Sequence, residues 1–136
     1  MFYYNTMNPK VWGSSAWLFL HTITLDYPDE PTKEDKEKYR EFFTSLSYVI
    51  PCETCKEHYL ETIRKFPINL ESKETLTKWL HNIHNQVNLR NNKEIYSYED
   101  FIEHYSRLYD NSTSNDTQRI IYIIIFIFLL FLILRE

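Results

Sequence analysis

Two cysteines, Cys52 and Cys55, stand two residues apart in the stretch IPCETCKEHY, residues 50–59, and they are the only thiols in the chain. Such a pair has three uses. It cycles between dithiol and disulfide, it supplies half of a metal site, or it packs as two ordinary buried thiols. Pro51 precedes the pair and Pro67 is the next breaker. The segment between them reads as a helix, with Cys52 at its start and Cys55 one turn deeper on the same face. Free N–H groups and the helix dipole favour a thiolate at that end, which suits a dithiol that closes to a disulfide and reopens. The metal alternative is a zinc-binding helical module drawing on Cys52, Cys55, His58, His81 and His84. Its weakness is spacing: His81 and His84 are closer in sequence than the usual zinc-ligand pair, and His58 shares the cysteines' helix. A thioredoxin-like use of the motif needs a βαβ setting, and no convincing strand is visible.

The elements that must position these residues read as helices. The stretch SSAWLFLHTITLDY, residues 14–27, is apolar and stops at Pro28. The next segment opens with Thr32 as N-cap and Asp35 at the third helical position. It carries Tyr39, Phe42, Phe43, Leu46 and then Val49 or Ile50 at helical spacing. A fourth helix opens at Ser72, with Leu76, Trp79, Leu80, Ile83 and Val87 as its apolar stripe, and a fifth opens with the pair Ser97 and Asp100. With 136 residues there is material for one domain and one core. The single glycine, Gly13, argues against hairpin-rich folds and glycine-rich phosphate loops. A formal net charge of −4 argues against nucleic acid as the main partner. The expected class is all-α: a small bundle of four to five helices followed by a C-terminal hydrophobic helix.

That last segment stands apart. Residues 120–134, IIYIIIFIFLLFLIL, are apolar without a break and lie between Arg119 and Arg135. As a helix the run is roughly 22 Å long, short of the ~20 residues of a full membrane span. Local thinning and snorkelling arginines make up such a difference. The expectation is a domain over residues 1–109, a polar linker over 110–119 and a transmembrane tail anchor over 120–134. No signal peptide is visible at the N-terminus, so the domain is expected on the cytosolic side.

Three stretches taken together are more specific than the cysteine pair. They are WGSSAWLFLHT (12–22) with YP at 27–28, PCETC (51–55), and WLHNIHNQVN (79–88) with Lys93 after it. In this order and spacing they resemble the Erv/ALR family of FAD-linked sulfhydryl oxidases over residues 9–106, and the small membrane-tailed forms of large DNA viruses in particular. The resemblance implies a helical bundle around FAD, usually a homodimer. It also implies a reaction: a substrate dithiol attacks the Cys52–Cys55 disulfide, the resulting dithiol reduces the flavin, and O2 reoxidises the flavin to give H2O2. By the family pattern Cys55 is the flavin-proximal cysteine and Cys52 the interchange cysteine that meets the substrate. The cofactor-binding residues carried over are Lys10, Gly13, Trp17, His21, His84, Asn85, Val87, Asn88, Lys93 and Tyr105, with no metal ligand among them. Gly13 lets backbone approach the cofactor closely, and Val87 packs on the ring system. Lys10 and Lys93 meet the pyrophosphate or the flavin carbonyls.

The departures from the family pattern also carry expectations. The positions of a structural disulfide found in many relatives look like His81 and Tyr98 here, and an arginine that usually follows the first glycine is Ser14. Most relatives carry a second, shuttle cysteine pair on a flexible arm, whereas both cysteines of this chain are already used. The resemblance therefore implies that Cys52–Cys55 takes electrons directly from a separate protein dithiol, a small thiol carrier protein above all. Disulfides are scarce in the cytosol. A viral oxidase serving virion membrane proteins on the cytosolic face reconciles the tail with that chemistry.

Overall fold

The structure, a computed structural model, describes residues 7–134; the side chains of residues 111–119, 129–130 and 132–134 lie outside the described set. Five helices follow in order: α1 (Pro9–Leu25), α2 (Lys33–Val49), α3 (Glu53–Lys65), α4 (Lys73–Arg90) and α5 (Tyr98–Leu134). No strand occurs among the described residues.

Each helix starts where its sequence supplies a cap. The Asn8 side chain accepts the Lys10 N–H at 3.0 Å, and Pro9 takes the first helical position, where its missing N–H costs nothing. These two residues start α1 five positions before the apolar stretch at 14–27 does. Gly13 consequently lies inside the helix rather than in front of it. At α2, Thr32 accepts the Asp35 amide at 3.1 Å while the Asp35 carboxylate accepts the Thr32 amide at 2.8 Å, a reciprocal cap. The bonds from Thr32 hold the Asp35 carboxyl below its ordinary range. Ser72 and Thr75 form the same box at α4. Ahead of α5, the Asp100 amide donates to Ser97 Oγ at 3.0 Å.

The core lies among α1–α4, built from Tyr27, Phe43, Tyr59, Leu70, Leu76, Trp79, Leu80 and Ile83. Helix α1 packs on α4, α2 on α3, and α3 on α4. Large side chains with polar tips are buried at little cost because each tip finds a carbonyl. Tyr27 Oη donates to Leu70 O at 3.0 Å, Tyr59 Oη to Phe43 O at 2.9 Å, and Trp79 Nε1 to Phe66 O at 2.8 Å. Thr77 Oγ1 on α4 donates to Thr24 O on α1 at 3.2 Å, and this buried bond fixes the register of the two helices that matter most below.

The chain divides after Ile95 into two compact units, the first holding α1–α4 and the second α5. Helix α5 is continuous, so residues 110–119 are helical where their composition reads as a flexible linker, and the apolar run is not a separate helix. Neither glycine nor proline occurs between Tyr98 and Leu134, and nothing in the backbone interrupts the hydrogen-bond ladder. Among the described residues no helix is long and apolar enough to cross a membrane.

Candidate functional site

Cys52 and Cys55 form a disulfide. Cys52 is the N-cap of α3, in extended backbone, and its sulfur accepts the Cys55 amide N–H at 3.3 Å. The Thr54 hydroxyl donates to the same sulfur at 3.5 Å. A cysteine in place of the usual serine or threonine cap puts sulfur where the unpaired N–H groups of the first turn converge. Reduction would therefore leave Cys52 as the better stabilised thiolate of the pair. Thr54 was not singled out on sequence grounds; a hydroxyl two residues beyond a cysteine N-cap is the signal that identifies it. Pro51 lies between α2 and α3 rather than at the first position of α3.

The second feature is a cradle on α1 and α4. Trp17 and His21 are one turn apart on α1, and His84, Asn85 and Asn88 follow one another on α4. The Trp17 and His84 rings stack face to face, 3.9 Å between centroids and 8° from parallel. His21 Nε2 and His84 Nδ1 share a hydrogen bond of 3.0 Å, which requires one ring to donate and the other to accept. Burial, helped by the neighbouring His84 and His81 rings, lowers the His21 pKa to about 3. Burial again, with His81 and Lys93 nearby, lowers His84 to about 4. Both imidazoles are thus neutral at physiological pH.

Asn88, one turn beyond His84 on α4, is 6% exposed. Its backbone carbonyl accepts the Lys93 amide at 2.9 Å, so the turn after α4 brings Lys93 back to the cradle. A side chain added at Gly13 would meet nothing within 4 Å, leaving that face of α1 open. The set as a whole is a flat aromatic surface, neutral imidazoles, an asparagine one turn on, an open helix face and a nearby cation. It fits a ligand with planar rings, hydrogen-bonding edges and an anionic linkage, as FAD has.

The two features are joined. The Met7 amide donates to Pro51 O at 3.1 Å, and Trp12 Nε1 donates to Met7 O at 3.4 Å. The start of α1 is therefore fastened to the loop that carries Cys52, and Trp17 follows Trp12 by about 7.5 Å of helix rise. Of the residues carried over by resemblance, Trp17, His21, His84, Asn88 and Lys93 come together. Asn85 lies on the same helix and contacts His81 Nε2 at 3.3 Å, and Val87 is half-buried beside Asn88. Lys10 is an exposed residue of the first turn of α1. Tyr105 is buried on α5 against Phe101, 4.7 Å between ring centroids, and burial lifts its phenol to about 12. Among the described residues no group of three or more His, Cys, Asp or Glu side chains is arranged to hold a metal, and the disulfide occupies both thiols. The zinc alternative is not supported. His58 is exposed on α3.

A family model described as the Erv1 / Alr family matches residues 14–107. The chain belongs to the Erv1/Alr family. It is 42% identical over 100 residues to a probable FAD-linked sulfhydryl oxidase of Acanthamoeba polyphaga mimivirus, covering 71% of this chain and 70% of that one. It is 40% identical over 76 residues to the FAD-linked sulfhydryl oxidase ERV1 of Arabidopsis thaliana, where the match spans 56% of this chain and 40% of the plant protein's length. The crystal structure of the FAD binding domain of Erv1 from Saccharomyces cerevisiae superposes with a TM-score of 0.65 at 31% identity, covering 67% of this chain and 87% of that one. The Erv1/Alr match reaches from α1 into α5 and so includes both the cysteine pair and the cradle.

Proposed function

We propose that this chain is an FAD-linked sulfhydryl oxidase that converts protein dithiols to disulfides. The observation that carries the reading is the Cys52–Cys55 disulfide on the N-cap of α3, in a chain whose α1 and α4 form the Trp17, His21 and His84 cradle. A substrate thiolate attacks Cys52 Sγ; the Cys52–Cys55 bond breaks, a mixed disulfide forms, and Cys55 leaves as a thiolate. The second substrate thiolate then attacks the substrate sulfur of the mixed disulfide. The substrate disulfide forms, Cys52 leaves as a thiolate, and the pair holds the two electrons the substrate has lost. The Cys55 amide and the Thr54 hydroxyl aid this second step by stabilising Cys52 as a leaving group. FAD, when bound, would supply the acceptor for those two electrons and their relay to O2, giving H2O2. Trp17 and His84 would hold the ring systems, Asn88 and Asn85 would bond to their edges, and Lys93 would balance the pyrophosphate charge. Cys55 is the sulfur assigned to the flavin and Cys52 the sulfur assigned to the substrate.

The partners follow from the same reading: a protein dithiol, a small thiol carrier above all, and a second copy of this chain. Val11, Leu18 and Phe19 lie exposed along one side of α1, a face that suits pairing of two copies. The large apolar side chains of residues 120–128 are all exposed, which supports a membrane as the surroundings of that part of α5, with the α1–α4 unit on the cytosolic face of a cell or virion membrane. Protection of the α1–α4 unit from protease in sealed vesicles would contradict that placement. For the activity, the test is the visible spectrum of the full chain in mild detergent before and after dithiothreitol in air. A flavin spectrum that bleaches and recovers while peroxide accumulates is the expected result. A folded protein that stays colourless with added FAD and leaves dithiothreitol unoxidised defeats the reading.

A further inference from the structure

The sulfur assigned to the substrate is the less accessible of the two. Cys52 is 6% exposed while Cys55 is half-buried, although Pro51, Glu53 and Thr54 around Cys52 are all exposed. At the residue before Cys52, the Met7 amide donates to the Pro51 carbonyl at 3.1 Å, and Trp12 Nε1 donates to Met7 O at 3.4 Å. That carbonyl is the last backbone acceptor before Cys52. The residues leading into it present an apolar edge to solvent, Tyr48 being 76% and Val49 65% exposed. Large apolar side chains left this exposed next to a reactive disulfide suit a contact made only when a partner arrives.

We infer that the stretch Tyr48, Val49, Ile50, Pro51, the end of α2 and the turn after it, is the docking edge for the substrate, and that Met7 occupies the substrate's place on it. The occupant is an extended polypeptide segment that carries the dithiol with an apolar side chain beside it. Its backbone N–H replaces that of Met7 on the Pro51 carbonyl, its apolar side chain lies on Tyr48 and Val49, and its thiolate is thereby delivered to Cys52. Met7 shows that peptide backbone fits this edge, since a backbone amide already donates there. A folded dithiol protein with no extended segment cannot make the same pairing, so the edge selects for mobile, strand-like thiol segments. The inference rests on the oxidase reading.

The experiment compares two probes in the full-length, FAD-loaded protein: dithiothreitol, and a short unstructured peptide bearing a Cys-x-x-Cys dithiol flanked by leucines. The quantity read is the ratio of kcat/KM for the peptide to kcat/KM for dithiothreitol. Met7→Pro removes the competing N–H and is expected to raise that ratio roughly three- to ten-fold, mainly through KM. Tyr48→Ser removes the apolar contact and is expected to lower it roughly five-fold. An unchanged ratio in Met7→Pro, or equal changes with both probes, would mean that Met7 only braces the loop and would overturn the inference. A wild-type protein inactive towards dithiothreitol would instead defeat the oxidase reading itself.

Discussion

The His21–His84 pair makes acid lability a sharp test of the cradle. Both rings titrate well below the ordinary histidine value of 6.5, His21 at about 3 and His84 at about 4, chiefly because burial disfavours their charged forms. In the unfolded chain both would take up a proton near 6.5, so below that pH the unfolded state binds more protons than the folded one. The pair's stability is therefore fully present above about pH 6.5 and is lost as pH falls towards the folded values. Each ring loses about 1.4 kcal/mol per pH unit in that window. From about pH 7 to about pH 5 that amounts to about 2 kcal/mol for fully buried His21 and somewhat less for half-buried His84, roughly 3 kcal/mol together. Against a typical domain stability of about 5–15 kcal/mol the loss is large. Urea unfolding followed by far-UV circular dichroism at several pH values, on wild type and on His21→Leu freed of bound flavin, separates this contribution from that of the carboxylates. The variant starts less stable but should fall by about 2 kcal/mol less over the same range. Parallel pH curves for the two proteins would refute the claim that His21 is buried as a neutral ring.

Three further outcomes are expected. Cys52→Ser, which removes the attacked sulfur and leaves Cys55 alone, should reduce oxidation of protein dithiols by at least about a hundred-fold in an oxygen-electrode assay; turnover at the wild-type rate would exchange or erase the assigned roles. Asn88→Ala should weaken FAD binding about ten-fold by fluorescence titration, because the buried amide loses its ligand bond; unchanged affinity would remove Asn88 from the cofactor site. Leu80→Ala, at a fully buried position of the core, should cost about 2–5 kcal/mol in urea unfolding; a loss well under 1 kcal/mol would mean that α4 is not central to the core.

What could be read from the sequence depended on the range of the signal. Thr32 with Asp35, and Ser72 at the head of α4, announce helix starts because the cap and its partner are three residues apart. The start of α1 carries the same kind of signal in Asn8 and Pro9. It is a faint signal because the first turn is exposed and has no apolar periodicity. The continuity of α5 was hidden for the opposite reason. Asn, Ser, Thr and Asp at 110–117 favour turns and caps, but composition alone does not break a helix that lacks proline and glycine. Pairings between distant segments had no local signature at all. His21 and His84 are 63 residues apart, and the 3.0 Å bond between them depends on the α1–α4 register that Thr77 sets against Thr24.

That register carries the functional argument further than the cysteine motif does. A disulfide at a helix N-cap suits a redox enzyme, but by itself it gives the electrons nowhere to go. Two histidines held neutral by burial, one of them stacked on a tryptophan, form a polar aromatic surface that suits a planar ligand. Water would compete for the same polar edges if the cradle were a mere surface cleft, whereas a planar cofactor would both satisfy those edges and exclude the water. The residue before Cys52 is tied through Met7 to Trp12 at the start of α1, the helix that also carries Trp17 and His21. A planar redox cofactor would account for both the aromatic cradle and the redox-active pair. This predicts that variants of Trp17 or His84 lose flavin and dithiol oxidation together, while retaining the Cys52–Cys55 disulfide itself.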